Sequence, residues 1–167
     1  ISKESLPETL SILPLKNTVM FPGVVIPITA SRDKSIKLIK DSNINTKLIG
    51  VVSQKDSKVQ NPNLDDIQST GTVAKILRVL QMPDGNVTVI IQGKKRFSIE
   101  KVLCEEPYIT AEIKEIKEIK PSNNNKEFNA TIESIKDIAL QIIEENPNIP
   151  SEASFAIKNI QSDSFLV

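Results

Sequence analysis

Acid–base chemistry in this 167-residue chain has to come from Lys, Asp, Glu or Tyr, because there is no histidine. The commonest general base and metal ligand is therefore missing, and no Ser-His or Cys-His nucleophile pair can be built. A Ser-Lys dyad needs a desolvated lysine beside a positioned serine, and nothing in the composition marks such a pair. The one cysteine, Cys104, can form neither an intrachain disulfide nor a thiolate zinc site, which fits a reducing compartment; it is expected to pack as a small apolar residue. The five glycines include no G-x-x-x-x-G-K-[ST] loop to cradle phosphates. What remains are groups suited to contact: the basic run Lys94-Lys95-Arg96, the apolar triplet Met20-Phe21-Pro22, and an isoleucine-rich series near the C-terminus. Lys+Arg 21 balance Asp+Glu 21, so no global field gathers nucleic acid or an anionic membrane, and the basic run is read as a solvated turn.

The elements that must hold these groups are mostly strands. From Leu10 to about Lys120 short β-branched runs alternate with turn residues, the pattern of a β-rich barrel or sandwich. Leu10 to Leu15 forms a first strand and Val24 to Ile28 a second, with Pro14 and Pro27 arguing for strand ends or edges, since proline donates nothing to a ladder. Phe21-Pro22-Gly23 is the turn between them. Ser31 is positioned to cap a short helix over residues 32–40. Lys47 to Val52 is a further strand, and Gln54 to Gln68 a polar, mobile excursion. Two runs flanking Met82-Pro83-Asp84-Gly85 make a hairpin, after which Gly93 is expected to bend the chain before a new strand at Arg96. Tyr108 to Lys120 is read as a long strand returning after Pro107, with helix as the alternative, since the three-residue repeat from Glu112 to Lys120 matches neither period 2 nor 3.6 and its Glu and Lys content favours helix.

Pro121 to Asn125 is the best boundary, dividing a β-rich domain over 1–120 from a helical part over 121–167. Phe128, Ile132, Ile135, Ile138 and Ile142 step by threes and fours onto one face of an amphipathic helix, a face for internal packing or for contact between subunits. A second helix starts after Pro150 with Ser151 as cap, and Ser162-Asp163-Ser164 caps a third. The first residue is not Met and the last three are apolar, so both ends read as cut from something longer and the helical part as truncated. The opening stretch lacks the basic start and apolar run of a signal peptide, and no apolar run approaches the roughly 18 residues that span a bilayer.

Several segments, in order and spacing, resemble the N-terminal domain of the Lon family of ATP-dependent proteases. They are Leu13-Pro14-Leu15-Lys16-Asn17-Thr18-Val19-Met20-Phe21-Pro22-Gly23, Ile26-Pro27-Ile28 with Arg32 and Ser35, and Gly50-Val51-Val52-Ser53-Gln54-Lys55. Gly71 to Leu77, Pro83-Asp84-Gly85 with Gly93 to Phe97, and Pro107 to Glu112 continue the series, and Ile149 to Glu152 resembles its helical sequel. Lys16 stands where the family usually has Arg, keeping the charge but losing the planar fork.

The resemblance implies an α+β fold: a PUA-like pseudo-barrel with a short helix, then a helical subdomain. It implies a non-catalytic domain that captures unfolded or damaged protein substrates for an AAA+ ring within a homohexamer. ATP, Mg and the Ser-Lys protease dyad would belong to the absent part of the parent, with no cofactor in this piece, and the family's bacterial members imply a cytoplasmic location. On this reading Met20, Phe21 and Pro22 either plug one end of the barrel or offer a flexible thioether and a ring to apolar client segments. Two other classes compete: a stand-alone PUA-like module binding RNA through Lys94-Lys95-Arg96, and a purely architectural oligomerisation domain.

Overall fold

The computed structural model describes residues 6–119, 125–150, 152–160 and 163–166. Lys120, the breaker at 121–124 and the expected caps Ser151 and Ser162 lie outside the described residues. The chain separates into two compact units, residues 1–117 and 118–167. The fold is α+β, a mixed sheet with accompanying helices.

The first unit holds β1 (Thr9–Leu15), β2 (Val25–Ala30), α1 (Asp33–Ile44), β3 (Leu48–Ser53), β4 (Thr70–Gln81), β5 (Val87–Cys104) and β6 (Thr110–Glu115). The strand order β2-β5-β4-β3-β1-β6 closes on itself because β6 also pairs with β5. The result is a five-stranded ring with β2 as an appended edge, the pseudo-barrel that the resemblance implied. One pair, β1 with β3, is parallel and needs the crossover through β2 and α1. Both prolines sit where a missing N–H is tolerated. Pro27 is on the edge strand, and Pro14 lies beyond the three residues of β1 that pair with β6.

The strand β5 makes closure possible. Its first half lies between β4 and β2, and its second half between β4 and β6, then along β6 alone. One continuous strand therefore runs through Gly93, where the sequence pattern suggested a bend and a new strand. Its ladder with β4 skips Lys94, and its ladder with β6 skips Glu100 and Leu103. Such bulges add local bend and twist. The extra residue at Lys94 also reverses the inside–outside alternation. Val87, Val89 and Ile91 enter one buried cluster, whereas Phe97, also odd-numbered, enters the other.

Those two clusters are the core. Leu10, Ile12, Val52, Val73, Phe97 and Ala111 come from all five ring strands and fill the ring. Leu13, Leu15, Ile49, Val51 and Ile76, from the opposite faces of β1, β3 and β4, pack with Leu38 and Ile39 of α1. Gly50 and Gly71 flank the Phe97 ring: a Cβ would stand 2.9 Å from its Cζ at Gly50 and 3.0 Å at Gly71. The N-cap of α1 is Arg32, which makes no side-chain capping bond, one residue after the Ser31 expected in that role. The Gln54–Gln68 excursion is internally bonded. Gln54 donates through Nε2 to the carbonyls of Asp56 and Val59, Ile67 is buried, and a 3-10 turn over Leu64–Asp66 has an Asn63 capping box. The run after Pro107 is strand only to Glu115.

In the second unit α2 (Lys126–Glu145) packs with α3 (Glu152–Asn159), and a last helical turn covers Asp163–Leu166. The Asn125 side chain caps α2 by accepting from the Phe128 N–H at 3.1 Å. The five residues of the expected face differ in burial. Ile132 is buried and Phe128 and Ile135 half-buried, but Ile138 and Ile142 are exposed, and the partly covered row runs instead through Ala139 and Ile143. Among the described residues no helix is long and apolar enough to cross a membrane.

Candidate functional site

The segment joining β1 to β2 divides the Met20-Phe21-Pro22 triplet. Met20 is 6% exposed and belongs to the core, its carbonyl accepting the buried Thr72 hydroxyl at 2.7 Å. Phe21, one residue on, is 55% exposed, with Val19 and Val25 also open to solvent. Adjacent residues are thus buried and exposed in turn, because an extended chain turns successive side chains to opposite sides.

The turn is fixed to β5 through Gly93. The Gly23 N–H donates to the Gly93 carbonyl at 3.0 Å, and the Gly93 N–H donates to the Val24 carbonyl at 2.9 Å. Phe21 itself crosses directly over this glycine, so a Cβ on Gly93 would lie 2.2 Å from the Phe21 carbonyl oxygen. Gly93 is where another backbone must pass. Ser53 holds the other end of the segment, donating to the Thr18 carbonyl at 2.7 Å.

Beneath the exposed ring is a pocket of about 280 Å³. Met20, Val51 and Gly71 give it apolar surface, Val19 and Phe21 form its wall, and Arg96 is its one charged lining residue. Arg96 is the third residue of the basic run, which lies in a bulged strand and not in a turn. The run is not a uniform patch: Lys94 is the exposed bulge residue, Lys95 pairs with Glu115 at 2.9 Å, and the Arg96 side chain has no hydrogen bond or ion pair among the described residues. Nothing in the spacing of Phe21 and Arg96 signals that they share a pocket. Gly93, three residues before Arg96, was the one available cue, and its role as a backbone crossing is visible only in three dimensions.

A second cleft lies between α1, the Asn61-Pro62-Asn63 turn and Tyr108. Three of its four charged lining residues are engaged, and Glu105 has no side-chain hydrogen bond or ion pair among the described residues. The Arg32 guanidinium donates to Gln54 Oε1 and burial lowers its pKa, while Lys34 pairs with Glu106. Tyr108 donates to Asp41 Oδ2 at 3.1 Å, and burial, with Asp41 adding to it, raises the phenol above its ordinary value. Cys104 is exposed, contrary to expectation, with its thiol directed at the Glu106 carbonyl. No cluster of three or more Cys, Asp or Glu arranged to hold a metal occurs among the described residues.

A closed β-ring carrying an apolar turn and a small pocket is a binding module in its chemistry. The comparisons with known proteins agree. Residues 9–167 match the model for the ATP-dependent protease La (LON) substrate-binding domain, and the chain belongs to that family. It is 64% identical to a Lon protease of Flavobacterium johnsoniae over all of this chain and 20% of the relative. It is 48% identical to a Lon protease of Cytophaga hutchinsonii over 99% of this chain and 20% of the relative. The chain thus spans about a fifth of the length of these relatives. Among solved structures, the N-terminal domain of a Mycobacterium avium complex Lon protease superposes with a TM-score of 0.75 at 20% identity, covering 95% of this chain and 78% of that one. An N-terminal Lon domain from Xanthomonas campestris gives 0.60 at 16% identity, covering 93% of this chain and 90% of that one. At such identity these two likenesses bear on the fold alone.

Proposed function

We propose that this domain gathers misfolded or regulatory protein substrates for a Lon-type parent, and that the Phe21 turn with its pocket is the contact site. The observation that carries the proposal is an aromatic ring 55% exposed on a turn anchored at both ends, beside an apolar pocket. A burial that would be favourable is left open, which marks an interaction surface. Rigid anchoring reduces the ordering cost when a client binds.

Each contact is small. A side chain entering a pocket this size contributes a few kcal/mol at most before association costs, so one domain binds weakly. In a homohexameric parent six such sites around the entrance of an AAA+ ring would raise the effective concentration of a client, and weak sites would then suffice for delivery. The exposed Ile138 and Ile142 support a share in hexamer organisation. In this reading the parent is a cytoplasmic serine endopeptidase, with ATP, Mg and the Ser-Lys dyad held by sequence outside this chain. Nucleic acid is not a partner: the zero net charge and the Lys95–Glu115 pair count against a basic surface.

The test is titration of the 167-residue chain into a labelled, permanently unfolded polypeptide. Saturable binding in the micromolar to millimolar range is expected, weakened several-fold in Phe21→Ser with circular dichroism unchanged. Met20→Ser would be a poor probe, because that side chain is core. Equal binding by Phe21→Ser and the parent chain would remove this turn from the site.

A further inference from the structure

The Phe21 pocket is not purely apolar, and its one charge has no counterpart. Arg96 is exposed at the pocket, no acidic side chain lines it, and the guanidinium has no ion pair among the described residues. The contrast with its surroundings is local. Lys95 next to it is matched by Glu115, and in the other cleft Lys34 is matched by Glu106. The remaining polar lining residues, among them Ser53, Gln68, Thr70 and Thr72, are uncharged, and the Ser53 and Thr72 hydroxyls are already donated to the Thr18 and Met20 carbonyls. A bound segment therefore meets an apolar wall from Val19 and Phe21 and, at the same pocket, a fork of free N–H donors suited to a carboxylate.

We infer that the pocket selects client segments in which Asp or Glu stands two residues from an apolar one, on the same side of an extended chain: the apolar side chain fills the space beside Phe21 and the carboxylate meets Arg96. This rests on the Phe21 turn being the client contact and adds a sequence preference to it. Side-chain carboxylates are the source assigned here, because unfolded clients offer internal acidic residues far more often than chain ends. The preference is modest. A solvent-exposed ion pair contributes about a two- to five-fold difference in affinity, and salt screens it. Such a bias discriminates among clients without preventing their release.

The experiment uses the 167-residue chain and fluorescein-labelled peptides of one length, each with a single phenylalanine and an amidated C-terminus. They differ only in whether Glu or Gln stands two residues after the phenylalanine. A further Gln peptide ends on its phenylalanine with a free carboxylate. Anisotropy should give the Glu peptide about two- to five-fold tighter binding than the Gln peptide at low salt, with the gap closing at high salt. Arg96→Gln should abolish the difference between the Glu and Gln peptides, whatever it does to the two together, while Arg96→Lys should keep part of that difference. Equal binding of the Glu and Gln peptides, both still sensitive to Phe21→Ser, would overturn the charge preference and leave the contact site standing. A gain confined to the free-acid peptide would overturn the assignment to side-chain carboxylates. Loss of Phe21 dependence for every peptide would overturn the site, and the preference with it.

Discussion

Replacing Gly93 by alanine sets a methyl group against the backbone of the Phe21 turn. The added Cβ would be 2.2 Å from the Phe21 carbonyl oxygen, 3.0 Å from its carbon and 3.2 Å from the Pro22 Cα. All three atoms are main chain, so no rotamer change relieves the clash. Either β5 distorts or the turn lifts away, and lifting it breaks the hydrogen bonds from Gly23 to Gly93 and from Gly93 to Val24. At about 0.5–1.5 kcal/mol each, those two bonds account for roughly 1–3 kcal/mol. Partial exposure of Met20, whose full burial is worth about 1.5–3 kcal/mol, brings the expected loss to about 2–4 kcal/mol. With a urea dependence of about 2 kcal/mol per molar, the middle of the range for small proteins, the midpoint of the β-rich unit should fall by roughly 1–2 M. Far-UV circular dichroism follows the unfolding, and amide exchange at Gly23 and Gly93 identifies the seam that opens. An unchanged midpoint with both amides still protected would refute the account of Gly93 as the seat of the turn.

Two further outcomes follow from the geometry. Asn125→Ala should remove the cap on the Phe128 N–H and destabilise α2 by about 1 kcal/mol, with Asn125→Asp retaining most of it; helix content during thermal unfolding of the three chains checks this. The Tyr108 phenol, raised by burial and by Asp41, should contribute stability that is complete below the unfolded-state value near 10 and is lost as pH rises through the folded-state value, because the unfolded chain ionises first. Urea midpoints of the parent chain and Tyr108→Phe at pH 8 and pH 11 isolate that part, and an identical decline in both would count against it.

Local patterns revealed the elements better than their partners. The hairpin around Met82 to Gly85 is legible because Pro-Asp-Gly chemistry and β-branched runs act over adjacent residues, and the Met82 N–H indeed bonds across the turn to the Asn86 carbonyl. Gly93 was misread because its reason is a chain crossing from residue 21, which no window around 93 contains. The face of α2 was ambiguous for another cause: Ile142 and Ile143 are adjacent and both apolar, so a period of 3.6 supports either row. The apolar triplet is legible in the sequence, but the burial of Met20 and the approach of Arg96 depend on how β1, β4 and β5 meet. Ser31 was read as a cap from its residue type, yet the helix starts after Arg32, whose side chain is engaged with Gln54.

The arrangement of β5 also orders events in time. It can join β4 through the short turn at Met82 to Gly85 and then β6 through the loop at Glu105 to Ile109, both cheap closures in chain entropy. β1 has no such neighbour. Its partner β3 comes after β2 and α1, and its other partner, β6, is about a hundred residues away. Contacts between distant segments form slowly because the entropy of closing the loop is lost before the pairing compensates. On a ribosome the strand made first therefore waits for the strand made last, and the ring locks only when β6 has emerged to take up Thr9, Leu10 and Ser11.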